Sequence, residues 1–342
     1  MRELVSSTCP VLVTGGAGYI GSHAVLALID AGWPVVVIDD LSTGFAEQVP
    51  AAATFVQGDV GDQRLVGELI ERHAIGAIMH FAGSIIVPES VENPLKYYHN
   101  NTVRSRALIE TAIQAGVPHF IFSSTAAVYG VPSQSRVAET DQTVPASPYG
   151  WSKLMTEQML ADVSRAHPLN YCALRYFNVA GADPNGRSGQ SSRSATHLVK
   201  IAVEVATGKR DLVSIYGDDY PTPDGTGVRD YIHVSDLADA HVHALAYLLE
   251  HPSTSQVMNC GYGRGFSVME VIDGVERVSQ RTIARQTSPR RAGDVPELVA
   301  DNSRIMTTLP WRPQRADLDT IIADALAWEI RLSTRSSEPC IP

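Results

Sequence analysis

The stretch Thr14-Gly15-Gly16-Ala17-Gly18-Tyr19-Ile20-Gly21 decides the fold, because a β-branched run ends at its first residue and a helical pattern begins within it. Glycines at this GxxGxxG spacing permit a tight turn and a close approach of the backbone to a pyrophosphate. The N-terminus of the following helix then faces the anion. A glycine triplet alone is a weak signal, since an ordinary turn explains it equally well. The residues downstream therefore determine its meaning.

A carboxylate follows the second strand at a distance typical of dinucleotide sites. The strand Pro34–Ile38 is followed by Asp39, eighteen positions after Gly21. An acidic residue about 20 positions beyond the glycines accepts hydrogen bonds from the adenosine ribose. Asp39 and Asp40 would repel a 2'-phosphate, and no Arg or Lys lies near them in the sequence to compensate. The pattern therefore predicts NAD as the cofactor.

Short β-branched runs alternate with longer helical patterns through the first half of the chain, which is typical of βα units on a parallel sheet. We predict an α/β fold with a doubly wound, Rossmann-like parallel sheet that binds ligands at the carboxyl ends of its strands. The six predicted strands are Val11–Thr14, Val35–Ile38, Thr54–Gln57, Ala77–Phe81, Phe120–Ser123 and Tyr171–Arg175. Five residues at strand ends are candidates to line the dinucleotide: Asp59, Val60, Phe81, Ala82 and Gly83.

The composition changes after Gly181, where a stretch rich in Gly, Ser, Asp and Asn is followed by amphipathic segments broken by loops. This change predicts a second, smaller α/β domain that binds the substrate. We assign residues 1–181 to the cofactor domain, with 228–258 packing on it, and residues 182–227 and 259–342 to the substrate domain. The tail after Arg331 is expected to be a frayed end.

Composition and charge narrow the possible partners. The 342 residues, of which 44% are apolar, exclude a disordered chain and suffice for about two domains at roughly 150 residues each. A net charge of -10 disfavours nucleic acid or an anionic membrane as partner. No apolar run reaches the roughly 18 residues of a membrane span, and the N-terminus lacks the apolar core of a signal peptide. Four widely spaced cysteines suggest neither a disulfide framework nor a metal site, which favours the cytoplasm.

Tyr149 and Lys153 open a helical segment and share one of its faces, because residues four apart lie about one turn apart. A neighbouring ammonium and an oxidised nicotinamide both stabilise a phenolate, and both are expected to lower the pKa of the tyrosine. Ser123 to Thr125 end the fifth strand and place hydroxyls in the same crevice. These residues predict that Tyr149 is the acid/base group, that its surroundings adjust its pKa, and that Lys153 and Thr125 assist it.

These motifs together resemble the extended short-chain dehydrogenase/reductase superfamily, and further segments narrow the resemblance to the UDP-glucose 4-epimerase family. The similarity runs from about Cys9 to Trp328. Its most specific part is the sequence TGVRDYIHV at Thr226–Val234. The other matching segments are Tyr19–His23, His80–Gly83, Tyr97–Asn101, Ser123–Gly130, Ser147–Met155, Arg175–Asn178 and Gly217–Thr222.

The resemblance implies a reaction and a set of roles. Tyr149 removes the proton of the sugar 4-hydroxyl, and Thr125 relays this proton or orients the reacting groups. Hydride moves at the same time from C4 to NAD. The keto sugar then rotates in the cleft and takes the hydride back on its other face. The implied cofactor contacts are Gly15, Gly18, Tyr19, Ile20, Gly21, Asp39, Asp59, Val60, Phe81, Ala82, Gly83, Asn100, Ser123, Tyr149, Lys153 and Tyr176. The implied contacts to the UDP-sugar are Thr125, Asn178, His197, Leu198, Tyr216, Arg229, Arg291, Asp294 and Leu298. A homodimer through helices in 93–116 and 147–167 is also implied.

Two residues are expected to affect cofactor retention and sugar specificity. Ile85 stands where some members place a lysine that helps to hold the cofactor, so weaker retention of NAD is expected. Leu298 stands where the family bounds the pocket beside the hexose 2-substituent, and its intermediate bulk favours UDP-glucose and UDP-galactose over N-acetylated sugars. Arg290, beside Arg291, is expected to form a surface salt bridge.

Other functions on the same motifs stay open. A UDP-pentose (arabinose or xylose) 4-epimerase shares every motif quoted above, and a UDP-N-acetylhexosamine 4-epimerase is also an alternative. A catalytically silent NAD-binding interaction protein is a more distant alternative. A sugar 4,6-dehydratase is disfavoured, because that family carries an Asp-Glu pair where this chain has Ala126 and Ala127.

Overall fold

The structure is a computed structural model that describes residues 9–192, 195–291 and 294–337. Cys340 lies outside these residues. The strands are β1 (Val11–Thr14), β2 (Val35–Asp39), β3 (Thr54–Gln57), β4 (Ala77–His80), β5 (His119–Thr125), β6 (Arg136–Val137), β7 (Asn170–Tyr176), β8 (Asn178–Ala180), β9 (Val213–Tyr216), β10 (Val228–His233), β11 (Gln256–Cys260), β12 (Gly265–Ser267), β13 (Arg285–Ser288) and β14 (Glu297–Ala300).

The helices alternate with these strands. They are α1 (Tyr19–Asp30), α2 (Gln63–His73), α3 (Val87–Glu92), α4 (Pro94–Tyr97), α5 (Arg104–Gln114), α6 (Pro148–Ala166), α7 (Leu198–Ala206), α8 (Val234–Glu250), α9 (Val268–Ser279), α10 (Ser303–Thr308) and α11 (Leu318–Ser337). A π-helical turn, Tyr98–Val103, joins α4 to α5. None of the helices in the described ranges is long and apolar enough to cross a bilayer.

Seven parallel strands form the main sheet, in the order β11-β7-β5-β4-β1-β2-β3. The strand order reverses between β1 and β4, and a ligand crevice is expected at such a switch point. Strands such as β1 are buried along their whole length, because helices cover both faces of the sheet. The predicted doubly wound parallel sheet is confirmed. The seventh strand, β11, was not predicted.

Two apolar layers hold the helices against the sheet. On one face, Leu28 of α1 and Leu245 of α8 belong to the same buried cluster as Val11 and Val13 of β1. On the other face, Leu69 of α2 and Leu108 of α5 pack in a cluster with the strand residue Leu12. Burial of an aliphatic side chain contributes about 1.5–3 kcal/mol, so these layers fix the strand ends in space.

A smaller, five-stranded sheet is built from β12, β10, β14 and β6, with β8 beside β10. Asn178 of β8 pairs with Tyr231 of β10, and only one residue separates β8 from β7 of the main sheet. The two sheets are therefore joined directly at the carboxyl end of β7. Strands β9 and β13 pair separately, and helices α7, α9 and α11 share a third apolar cluster with Ile215 of β9.

The elements after Val228 divide between these two sheets. Strand β10 lies in the smaller sheet, whereas α8 packs on the main sheet and β11 extends it. The domain boundaries expected from the sequence stay a prediction. The expectation of a frayed tail is wrong for Leu332–Ser337, which continue α11. Ile321, Ile322 and Trp328 bury the earlier turns of this helix, and the final turns propagate from that anchored segment.

Candidate active site

The glycines of this loop allow it to pack closely against the chain's own backbone. Gly15 has φ +71°, and a Cβ there would lie 2.6 Å from the backbone nitrogen of Ala82. A Cβ at Gly21 would lie 2.1 Å from the carbonyl oxygen of Gly15. Gly18 supplies no side chain to cap α1, so the N–H groups of the first turn are left for a ligand, and their partial positive charge suits an anion. The loop matches the requirements of a dinucleotide diphosphate.

Asp39 lies at the end of β2, beside this loop. Its carboxylate accepts hydrogen bonds from the backbone N–H of Ala17 at 3.0 Å and of Leu41 at 2.8 Å. Burial raises the pKa of Asp39, and these two N–H groups oppose that shift. Because a carboxylate accepts about four hydrogen bonds, it retains capacity for the two hydroxyls of a ribose. The position and chemistry fit the sequence prediction.

The loop after β4 is fastened to the active-site helix by Asn101, a residue the sequence analysis did not assign. Its side-chain oxygen accepts a hydrogen bond from the Ser84 backbone N–H at 2.7 Å, and its nitrogen donates to Ser152 Oγ on α6 at 3.0 Å. A Cβ at Gly83 would lie 2.8 Å from the Asn101 oxygen. Asn100, the predicted cofactor contact, instead donates to Ser84 Oγ at 3.0 Å. The position of Asn101 in the YYxNN pattern of Tyr97–Asn101 was the sequence signal that could have pointed to its role.

Tyr149, Thr125 and Lys153 converge at the carboxyl end of β5. The hydroxyl of Thr125, the last residue of β5, lies beside the Tyr149 phenol, where it acts to lower the pKa of that phenol. Lys153 is buried and donates to the Ser123 carbonyl oxygen at 2.9 Å. The Ser123 and Tyr176 hydroxyls hydrogen-bond each other. The structure thus brings together the residues predicted for catalysis and two of the implied cofactor contacts, Ser123 and Tyr176.

The electrostatics of the acid/base pair differ from the sequence expectation. Burial raises the pKa of Tyr149, although the Thr125 hydrogen bond opposes this shift. Burial also lowers the pKa of Lys153 to about 8, with Glu157 acting in the opposite direction. The expected lowering of the Tyr149 pKa by Lys153 is therefore not the dominant effect. Removal of both groups from water outweighs their mutual interaction.

A buried ion pair behind Lys153 was missed by sequence reasoning. Glu157, one turn further along α6, accepts hydrogen bonds from Arg175 of β7, with Nη2 at 2.6 Å and Nε at 3.0 Å. Both side chains are almost fully buried. Ser124 Oγ also donates to Glu157, and Arg175 Nη1 donates to the Tyr129 hydroxyl at 3.1 Å. These contacts connect α6 to β5 and β7. The i, i+4 spacing of Lys153 and Glu157 was the sequence signal that could have pointed to the role of Glu157.

A second cluster of predicted residues forms around Tyr216, at the end of β9. The guanidinium of Arg291 lies 4.2 Å from the Tyr216 ring centroid, and its Nε is 3.2 Å from Asp294 Oδ2. Tyr216 is 40% exposed, which leaves part of the ring open to a stacking partner. The structure therefore groups an aromatic platform, a guanidinium and a carboxylate, three residues that the family resemblance implies as contacts to the UDP-sugar.

Tyr220 lies within the same cluster and was not assigned from the sequence. Its ring lies 4.1 Å from the Arg290 guanidinium, which also pairs with Asp219 as expected of an exposed residue. Within the described part of the chain its buried hydroxyl has no hydrogen-bond partner. Arg290 therefore does more than pair with a surface carboxylate, since it covers a buried phenol in the predicted substrate site.

The remaining predicted substrate contacts lie on the smaller sheet and on α7. Arg229 of β10 and Leu298 of β14 are paired neighbours. Leu298 also packs in one apolar cluster with Ala126, the residue after Thr125, and Leu154 of α6. This contact links the smaller sheet to the Thr125–Tyr149 pair. His197 accepts a hydrogen bond from Gln190 at 2.7 Å and directly precedes Leu198 at the start of α7; Asn178 lies in β8.

Residues 11–261, well over half of the chain, match the model of the NAD dependent epimerase/dehydratase family. The chain belongs to this family. Within it, the chain is 54% identical over 329 residues to a UDP-glucose 4-epimerase of Azospirillum brasilense, covering 96% of this chain and 94% of the relative. It is 46% identical to a UDP-glucose 4-epimerase of Lacticaseibacillus casei, covering 93% and 96%.

A solved structure of the same epimerase family shares the fold. The UDP-glucose 4-epimerase of Stenotrophomonas maltophila, solved with bound NAD and formylated UDP-arabinopyranose, superimposes with a TM-score of 0.92 at 40% identity. The match covers 96% of this chain and 100% of that chain. Both the main sheet and the smaller sheet are therefore common to the two proteins.

Proposed function

We propose that the chain is an NAD-dependent UDP-glucose 4-epimerase, an isomerase that interconverts UDP-galactose and UDP-glucose. The observation that carries the proposal is the convergence of Tyr149, Thr125 and Lys153 at the end of β5. The glycine loop lies on the same edge of the sheet, and the Tyr216–Arg291 cluster supplies the nucleotide-binding chemistry. The full-length similarity to UDP-glucose 4-epimerases supports the same activity.

The chain's own residues hold the cofactor along the strand ends. The first turn of α1 binds the diphosphate, and Asp39 binds the adenosine ribose. Ser123, Tyr176 and Lys153 surround the nicotinamide end, where Lys153 is oriented by the Ser123 carbonyl oxygen. NAD bound there supplies a hydride acceptor for C4 of the sugar and a positive charge that favours the Tyr149 phenolate.

Tyr149 moves the proton of the reaction. As a phenolate it accepts the proton of the sugar 4-hydroxyl, and the Thr125 hydroxyl orients it. The 4-keto sugar then presents its other face, and Tyr149 returns the proton to the new 4-hydroxyl. The site is buried, with Tyr149 only 9% exposed, so bulk water is kept from the keto sugar.

The substrate is anchored through its nucleotide and not through the sugar. We assign Arg229 and Arg291 to the diphosphate, Tyr216 to uracil and Asp294 to the uridine ribose. Guanidinium groups suit phosphate oxygens because their fork makes bidentate hydrogen bonds. Binding energy from this remote part holds the substrate while the hexose rotates.

Incubation of the purified chain with UDP-galactose and NAD, followed by chromatography, tests the proposal. We expect UDP-glucose to form until both sugars reach equilibrium, with no net consumption of the cofactor. Persistence of UDP-galactose while NAD is demonstrably bound would contradict it, and would favour a silent NAD-binding protein.

The pocket is expected to discriminate against N-acetylated sugars. Leu298 packs against the apolar cluster around Ala126, where its side chain limits the space beside the hexose 2-substituent. UDP-N-acetylglucosamine should be turned over at least about tenfold more slowly than UDP-glucose, which corresponds to roughly 1.4 kcal/mol of discrimination. Leu298→Ser should reduce this ratio when kcat/KM is compared for both substrates. Equal turnover of the two sugars by the unmodified chain would contradict the assignment.

We propose a homodimer formed through α4, the π-helical turn and α6. Leu95 is 77% exposed, Val103 52% and Met155 41%, and Trp151 lies one turn before Met155 on α6. An apolar surface of this kind is typical of an interface with a second copy. The predicted segments 93–116 and 147–167 carry all four side chains.

Met155→Glu should shift the dimer toward monomer, because it would bury a carboxylate in the apolar contact. Light scattering coupled to gel filtration measures the change, and Ile330→Glu, at an exposed position of α11, is the matched control. A monomeric unmodified chain, or a Met155→Glu variant as dimeric as the control, would contradict this interface.

We assign the protein to the cytoplasm. Cys172 and Cys260 are buried free thiols, and burial raises the pKa of both. Such thiols persist in a reducing compartment.

A further inference from the structure

Arg104, the first residue of α5, joins two acidic strand ends that the sequence does not connect. Its Nη2 lies 2.9 Å from Asp59 Oδ2, at the end of β3, and its Nη1 lies 3.6 Å from Asp40 Oδ2, at the end of β2. The Arg104 side chain is 27% exposed. No Arg or Lys lies near Asp39 and Asp40 in the sequence. In the fold, Arg104 of α5 places a cation beside Asp40.

The guanidinium is held more firmly than an ordinary surface ion pair. A Cβ at Gly61 would lie 3.0 Å from Arg104 Cγ, so the arginine stem lies on the loop that follows β3. The Asp59 carboxylate is fixed from its other side by the Gly61 backbone N–H at 2.8 Å. Two residues further along α5, Arg106 pairs with Glu110 at 3.1 Å but is 62% exposed. The Arg104 pair is built into the crevice, whereas the Arg106 pair is not.

One donor of Arg104 is left without an acceptor in the part of the chain that the structure describes. Among the described residues its Nε is buried without a hydrogen-bond partner. A buried, unsatisfied donor on a charged group is costly. The same guanidinium contacts Asp40, the neighbour of the predicted ribose ligand Asp39, and Asp59, a predicted cofactor contact. The described residues provide no acceptor for this donor, whereas a nucleoside bound there would bring one.

Charge explains why a cation is needed at this place. Asp39, Asp40 and Asp59 put three carboxylates at two adjacent strand ends, and the cofactor brings two phosphates to the same edge of the sheet. Asp40 already raises the pKa of Asp39 through their repulsion. A guanidinium that pairs with both Asp40 and Asp59 offsets part of this repulsion.

We propose that Arg104 is a positioning residue for the adenosine end of the dinucleotide: it neutralises Asp40, holds Asp59 in place and presents an N–H donor to the bound nucleoside. The inference rests on the proposed NAD-dependent function. Arg104 serves NAD and not a 2'-phosphorylated cofactor, because its two Nη groups are engaged by carboxylates and Asp39 occupies the ribose position.

Isothermal titration of the full chain, freed of bound nucleotide, tests this role without relying on turnover. Arg104→Met should raise the Kd for NAD by about tenfold, the loss of one charged hydrogen-bonded interaction. Arg104→Lys should recover part of the loss. The double variant Arg104→Met/Asp40→Asn should also recover part, because it removes one of the two unneutralised carboxylates. Arg106→Met is the matched control and should leave the Kd unchanged.

The outcomes distinguish a failure of the NAD assignment from a failure of the role of Arg104. If the unmodified chain binds no NAD, the cofactor assignment and the role of Arg104 both fail. If it binds NAD and Arg104→Met binds equally well, only the role of Arg104 fails. A fall in the thermal midpoint of the nucleotide-free variant, with no rescue by Asp40→Asn, would reduce Arg104 to a structural ion pair. Binding of NADP as tight as that of NAD would overturn the proposal, since Arg104 would then be a phosphate ligand.

Discussion

Tyr149→Phe lowers kcat by about 10²- to 10⁴-fold, the usual contribution of a positioned acid/base group. The substitution removes only the phenol oxygen, the atom that carries the proton to and from the sugar 4-hydroxyl. The ring remains, and with it the edge-on packing against Tyr97, whose ring centroid lies 6.4 Å away. Initial rates of UDP-galactose conversion measure the effect.

The loss should be confined to chemistry. NAD binding and the thermal midpoint of Tyr149→Phe should stay close to those of the unmodified chain, because the substitution removes a single oxygen atom and keeps the ring in place. Tyr247→Phe, on α8 and remote from the site, is the matched control. Activity of Tyr149→Phe within a few-fold of this control would mean that another group transfers the proton.

Glu157→Ala destabilises the fold by about 3–5 kcal/mol, the cost of leaving one partner of a buried ion pair uncompensated. Arg175 would retain its charge in a site where its side chain is only 7% exposed. Ser124 and the Arg175 Nε would lose their acceptor as well. Urea unfolding, followed by circular dichroism, measures the change in free energy of unfolding.

The control for this effect is an exposed pair. Glu68→Ala breaks the Arg64–Glu68 contact on α2, where the two side chains are 77% and 46% exposed, and should cost about 0–1 kcal/mol. The double variant Glu157→Leu/Arg175→Met should recover much of the stability lost in Glu157→Ala, since neither charge of the ion pair is left without its partner. A Glu157→Ala loss no larger than that of Glu68→Ala would contradict the proposed importance of the network.

Local patterns made most of the fold predictable. The six predicted strands form one parallel sheet. Most of them are short, largely apolar or β-branched runs, which are stable between two layers of helices. β11 was missed since its sequence Gln256–Cys260 mixes polar and apolar residues. It is recruited to the sheet edge by pairing with β7, which is a tertiary effect.

The candidate site was predictable where a motif places its residues. Tyr149 and Lys153 are fixed by helical spacing, and Thr125 by the end of a strand. Arg104 and Asp40 lie 64 positions apart, and only the sheet order brings α5 over the end of β2. The pKa of Tyr149 depends on burial, which no local pattern reports and which raises it in the folded chain. The predicted lowering combined Lys153 with a bound oxidised nicotinamide and stays a prediction.

Retention of hydrogen at C4 tests the central claim most directly. The purified chain is incubated with UDP-galactose and NAD in D2O, and the UDP-glucose formed is examined by NMR. Because the hydride leaves C4 and returns to the same carbon without meeting solvent, we predict UDP-glucose with hydrogen and no deuterium at C4. Deuterium at C4 of the product, or no UDP-glucose at all from the NAD-bound protein, would contradict the account.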